Sequence, residues 1–187
     1  MFGLSELEAE FRQHFSEFKA PLSDKDGSSV TGSASAISCW RDVFEVAYKA
    51  DALGQCFFQS FAFAVFGHAR YYPIIRGLVY PMLYEVSEDA RKRFEDHSGQ
   101  GYFSYTMNQL FCLRWNQFDM QQLYCVLASF FNVNIVIVDM RAFTALRIGP
   151  NIEVAEILGL PVQCSIRRTV YLALHNDHFN GKLRCLF

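Results

Sequence analysis

Residues 50–61, ADALGQCFFQSF, set Cys56 behind a glycine and ahead of a run of aromatic residues. A thiol in that place has two readings. It is a small apolar residue filling a core, or a nucleophile at the front of a buried helix. A helix N-terminus carries partial positive charge and backbone amides without intrahelical partners, and both stabilise a thiolate. The amides of Gln55 and Cys56 would also suit the oxyanion formed when a carbonyl is attacked. Gly54 permits the tight turn that would aim them. A nucleophilic thiol also needs a base, and the chain has five histidines. His14 falls on an N-terminal helix. His68 and His97 fall at helix ends, where a cation is favoured for structural reasons alone. His175 and His178 occur together in LALHNDHFNGKL, the connection between the last two expected strands. Asn180 follows His178 by two and returns to the same side of an extended strand. Its side-chain oxygen would there hold an imidazole in the tautomer that accepts a proton. The plainer reading is a polar hairpin with exposed histidines, and these residues alone leave both open.

The elements around those residues are legible in outline. FFQSFAFAVFG (57–67) is apolar on every side, as a helix buried all round is. YYPIIRGLVYPMLYEV and SEDARKRFEDH read as helices, the second with acids first and bases after, as the helix dipole prefers. SGQG (98–101) reads as a loop. DMQQLYCVLASFFN is a helix with Asp119 and Gln122 as a capping pair and Asn132 closing it. DVFEVAYK (42–49), NIVIVD (134–139), TVYLAL (169–174) and KLRCLF (182–187) read as strands. NIVIVD is a continuous branched run of the kind buried on both faces, and KLRCLF alternates as a half-exposed strand does. The expected fold is mixed α+β, a small central sheet flanked by helices. Residues 1–20 carry Leu4, Leu7, Phe11, Phe15 and Phe18 as one stripe of an amphipathic helix. Residues 21–38 are rich in Ser, Gly and Ala and read as a flexible linker, which leaves 39–187 as the main domain.

Composition excludes several classes. The 187 residues, 51% of them hydrophobic, suffice for one domain with a real core and are short for two. A net charge of −2 offers no basic surplus for nucleic acid. No apolar run reaches the roughly 18–20 residues that span a bilayer; the nearest, VLASFFNVNIVIV from Val126, is broken by Asn132 and Asn134. Charged side chains throughout residues 1–20 are unlike a secretory signal, so a reducing cytosol is the expected compartment. No Cys-x-x-Cys occurs, so no zinc site is expected. Five of the six cysteines are expected to be inert core thiols.

Three stretches in order resemble the ovarian tumour (OTU) family of papain-type cysteine proteases. LGQCFF (53–58) is similar to the family's nucleophile motif, and VYLALHNDHFN (170–180) to its closing strand, turn and His-aromatic-Asn/Asp. RWNQFDMQQLYCVLASFFNVNIVIVD (114–139) has the family's Trp, capped helix and buried strand between them. The resemblance covers about residues 40–187. It implies Cys56 as nucleophile, His178 as general base and Asn180 as orienting residue, with Leu53, Gly54 and Gln55 as the oxyanion loop and His175 outside the chemistry. It implies no cofactor and no metal. The implied activity is a deubiquitinase, a thiol-dependent isopeptidase acting after the C-terminal glycine of ubiquitin or a ubiquitin-like protein. The implied place of action is the cytosol, a host's if the source is viral or a bacterial effector. Two positions depart from the family: Leu53 stands where an Asp is usual, and Asn116 where a Gly commonly follows the Trp.

Two other readings stay beside that one. Leu53 suits an inactive OTU-like module that binds ubiquitin without cutting it. A papain-like enzyme cutting peptide bonds, such as a polyprotein processor, would use the same residues. The N-terminal helix would dock on the domain, bind a partner or join a larger protein, because its stripe should not stay in water. In the charged helix, Glu88, Asp89, Glu95 and Asp96 would suit a basic modifier tail, although a charge run is more often a solvated face.

Overall fold

The structure, a computed structural model, describes residues 44–50, 54–114, 120–139, 141, 144–160, 168–175 and 178–185. At 44–49, 175, 178 and 180–185 the description is of the backbone. The expected N-terminal helix (1–20) and linker (21–38) lie outside the described residues, as do Leu53 and Asn116.

Five strands form one sheet in the order β1-β5-β4-β2-β3. They are β1 (Phe44–Lys49), β2 (Val133–Asp139), β3 (Thr144–Ile148), β4 (Arg168–His175) and β5 (His178–Cys185). β2 and β4 run parallel, and the other neighbours are antiparallel. Six helices accompany them among the described residues: α1 (Cys56–Phe66), α2 (Tyr72–Tyr84), α3 (Glu88–Ser98), α4 (Tyr102–Cys112), α5 (Gln121–Phe131) and α6 (Ile152–Ile157). The expected α+β architecture is the one observed. No described helix is long and apolar enough to cross a membrane.

α1 sits at the centre. Every residue of it but Phe63 is buried, as an all-apolar helix requires. It ends where Gly67 takes the left-handed conformation, φ +83°, and returns its N–H to the Phe63 carbonyl at 2.9 Å. It packs on β5, β4 and β1, and its rings meet those of α5 through Phe57–Tyr124 and Phe61–Phe131 at 5.0 and 5.6 Å. β2, second from the sheet edge, is buried along its whole length except Asp139, as its branched run predicts.

Several expectations are corrected. α4 occupies a stretch from which no helix was expected. No side chain of its own caps it; the Glu95 carboxylate of α3 accepts from the Gly101 and Phe103 N–H groups, the latter at 2.9 Å. Of the expected capping pair of α5, Asp119 lies outside the described residues and Gln122 stands inside the helix, whose N-cap is Met120. Asn132 does close α5, in the left-handed conformation that Asn tolerates. The last strand starts at His178, not at Lys182, so only two residues separate β4 from β5. β3 and the short α6 are further elements that went unforeseen. Ser129 ties α6 down, its hydroxyl accepting from the Asn151 N–H at 3.1 Å, while the Asn151 side chain caps the helix at Val154. Cys112 is exposed at the end of α4, its thiol donating to Asn108 Oδ1 at 3.5 Å, so it is not a core thiol.

Candidate active site

The chain leaves β1 at Lys49, passes the buried Ala50 and reaches Cys56 as the first residue of α1. Gly54 takes φ +77°, which a side chain would strain, so the turn before the thiol depends on glycine there. Gln55 is the N-cap, with no side-chain cap bond, and its carbonyl accepts the first helical hydrogen bond, from the Gln59 N–H at 3.0 Å. The N–H groups of the first turn, that of Cys56 among them, therefore have no partner inside the helix. Cys56 is buried, 3% exposed. The elements expected of an activated thiol are present in backbone: a glycine turn, a helix N-terminus and amides that have no partner inside the helix.

His178 and Asn180 belong to the first residues of β5. The register pairs His178 with His175 and Asn180 with Ala173 in β4, and Asn180 with Lys49 in β1. Asn180 thus lies opposite the residue from which the chain departs toward Cys56. Period-two alternation gives His178 and Asn180 one face and Phe179 the other. Phe179 is buried, 1% exposed, and its ring meets that of Phe57 edge to face at 5.2 Å. The residue after the thiol is therefore packed against the residue between the candidate base and its orienter. The register and this ring contact join two motifs that lie more than a hundred residues apart.

The other expected candidates go elsewhere. His68 precedes the 3-10 turn Ala69–Tyr71 and meets the Tyr71 ring at 5.8 Å. His97 Nδ1 lies 3.2 Å from a Glu153 carboxylate oxygen, joining the end of α3 to α6. His14 lies outside the described residues. Cys125 is half-buried and burial pushes its thiol pKa up, away from nucleophilic use. Sequence reasoning missed the structural task of Glu95, which closes on the start of α4. Its spacing from Gly101 and Phe103 across a Gly-Gln-Gly turn was the available signal. Among the described residues, no group of three or more His, Cys, Asp or Glu converges as a metal site.

Comparison with solved structures places the architecture. The OTU domain protease of Qalyub virus superimposes with a TM-score of 0.50 at 11% identity, over 79% of this chain and 87% of that one. The fold is that of an OTU domain. The OTU domain of OTUD1 matches with a TM-score of 0.47 at 13% identity, over 80% of this chain and 91% of its own. The Hazara virus OTU, in a structure bound to ubiquitin, gives 0.46 at 18%, over 79% and 85%. No sequence-family model matches the chain, and no curated protein matches it in sequence. At these identities the OTU likeness is one of fold, and the chemistry rests on the chain's own residues.

Proposed function

We propose that this OTU-fold chain is a thiol-dependent isopeptidase that removes ubiquitin or a ubiquitin-like modifier. The observation that carries the proposal is the Phe57–Phe179 contact, which holds the Cys56 segment against the His178–Asn180 segment. In the reaction, His178 takes the Cys56 proton, and the thiolate attacks the carbonyl of the modifier's C-terminal glycine. The backbone amides of Gln55 and Cys56 receive the oxyanion, with the loop Leu53-Gly54-Gln55 shaping their approach. The C–N bond breaks, His178 returns the proton to the departing lysine amine, and a thioester remains. Water then cleaves the thioester and restores the thiol. Asn180 orients the imidazole throughout.

The test is intact mass after incubation with a ubiquitin whose C-terminus carries a thiol-reactive electrophile. The expected product is a one-ubiquitin adduct, lost in Cys56→Ala and slowed by about 10²-fold or more in His178→Ala, the scale of a lost general base.

A second reading is favoured by two specific observations: Cys56 is only 3% exposed, and Leu53 stands where an Asp is usual. In it the domain binds a modifier without cutting it. Absence of adduct together with measurable ubiquitin binding selects this reading. An absence of both, with the same result for related modifiers, moves the substrate to another class, such as a polyprotein.

A further inference from the structure

α4 buries four side chains, Phe103, Thr106, Gln109 and Leu110, and the middle two are polar. Thr106 is 1% exposed and Gln109 4%. Neither Thr106 Oγ1 nor Gln109 Oε1 has a hydrogen-bond partner. The Gln109 side-chain nitrogen donates to the Met120 thioether at 2.9 Å, and sulfur is a weak acceptor. A hydroxyl and a primary amide therefore share one weak bond, with several donor and acceptor places unmet. Each unmet place has given up water and gained nothing in return. A lone orphan such as the Ser60 hydroxyl in α1 is a cost that a fold can carry. Two within one turn of one helix make a site. Residues three apart on a helix are surface neighbours, with Cβ atoms about 5–6 Å apart. Two hydrogen bonds of about 2.8 Å each, made through one shared oxygen, cover the same span.

We propose that Thr106 and Gln109 hold a buried water molecule between them. The water donates a hydrogen to Gln109 Oε1 and accepts the hydrogen of the Thr106 hydroxyl. Water suits the pair better than other small ligands do. An apolar molecule would leave both heads unpaired, and neither head carries a charge to hold an ion. A buried water is retained where it finds two or more polar partners, as here. The site has a structural task. Gln109 reaches Met120, the N-cap of α5, so fixing its amide fixes how α4 meets the start of α5. α5 in turn sets Tyr124 against Phe57, the residue after Cys56, at 5.0 Å. The inference concerns a site apart from the proposed catalysis and holds or fails whether or not Cys56 reacts.

The experiment is oxygen-17 magnetic relaxation dispersion of the full chain, which counts water molecules held for longer than the protein takes to tumble. The full chain is compared with the double variant Thr106→Val, Gln109→Met, which keeps the side-chain shapes and removes both polar heads. The expected result is one long-lived water fewer in the double variant. An equal count in both would overturn the proposal, and would fit a direct Thr106–Gln109 bond instead. Urea unfolding of the single variants supplies a second measurement, in which the sign decides. An orphaned hydroxyl is a cost, so its removal in Thr106→Val would raise the midpoint. A hydroxyl that anchors a water leaves the water and Gln109 short of a partner when it is removed, so the midpoint should fall. The double variant should then lose less than the two single variants together. A raised midpoint for Thr106→Val, or losses that simply add, would overturn the proposal.

Discussion

α1 and α3 are helices of the same length, 11 residues each, held by opposite means. α1 has no side-chain cap and almost no exposed surface; the ring of Phe57 alone meets those of Phe58, Phe61, Tyr124 and Phe179. α3 buries only Ala90 and Phe94 and depends on its ends: Ser87 accepts from the Ala90 N–H at 3.2 Å, and Glu88 and Asp89 fill the first turn. The contrast assigns each helix a different tolerance. Cys56 rides on the first turn of α1, so packing there sets the fold and the candidate site together. The outward charges of α3 can change with little cost to the fold.

The sharpest way to break this contrast is to cut into α1. Phe61 is fully buried and stacks on Phe57 at 5.9 Å and against Phe131 at 5.6 Å. Phe61→Ala should cost about 3–5 kcal/mol, the scale of a truncated core aromatic. Urea unfolding measures it through the midpoint at unchanged slope. A loss of under about 1 kcal/mol would mean that α1 is not the centre of the core.

A middle-sized effect separates the ends of α3 from its surface. Glu95 caps the next helix through two backbone N–H groups, while its neighbour Asp96 is exposed. Glu95→Ala should lower stability by about 1–2 kcal/mol, as the loss of a charged cap does. Asp96→Ala should change it by less than about 0.5 kcal/mol. Equal effects would show that Glu95 acts only as surface charge.

What the sequence displayed, and what it hid, follows the same division. Elements defined by burial were legible because burial imposes a pattern: the all-apolar run of α1, the branched run of β2, and Asn132 at the left-handed end of α5. α3 was legible too, because Ser87 and its charge gradient are local signals. α4 was not, because its cap is Glu95, a residue of the helix before it, and no residue at its own start announces it. β3 is exposed over Thr144–Arg147, so neither face leaves a period. α6 is short and is fixed by Ser129, twenty-two residues away from Asn151. In the site, the thiol at a helix start and the His-x-Asn spacing could be read from residue types. The Phe57–Phe179 contact could not, since it follows from how β5 crosses α1.

The smallest effect has the opposite sign and tests how completely packing governs α1. Ser60 is fully buried in the middle of that helix, and its Oγ has no hydrogen-bond partner. A buried hydroxyl that has given up water without gaining a partner carries an uncompensated desolvation cost. Alanine removes the hydroxyl, keeps nearly the same volume and has the higher helix propensity. Ser60→Ala should therefore stabilise the fold, by up to about 1 kcal/mol, in the unfolding assay that reports a large loss for Phe61→Ala. A loss above about 1 kcal/mol would mean that the hydroxyl is bonded in solution and that α1 is held by more than apolar contact. A gain would show that the Ser60 hydroxyl is a cost to a helix held chiefly by apolar contact.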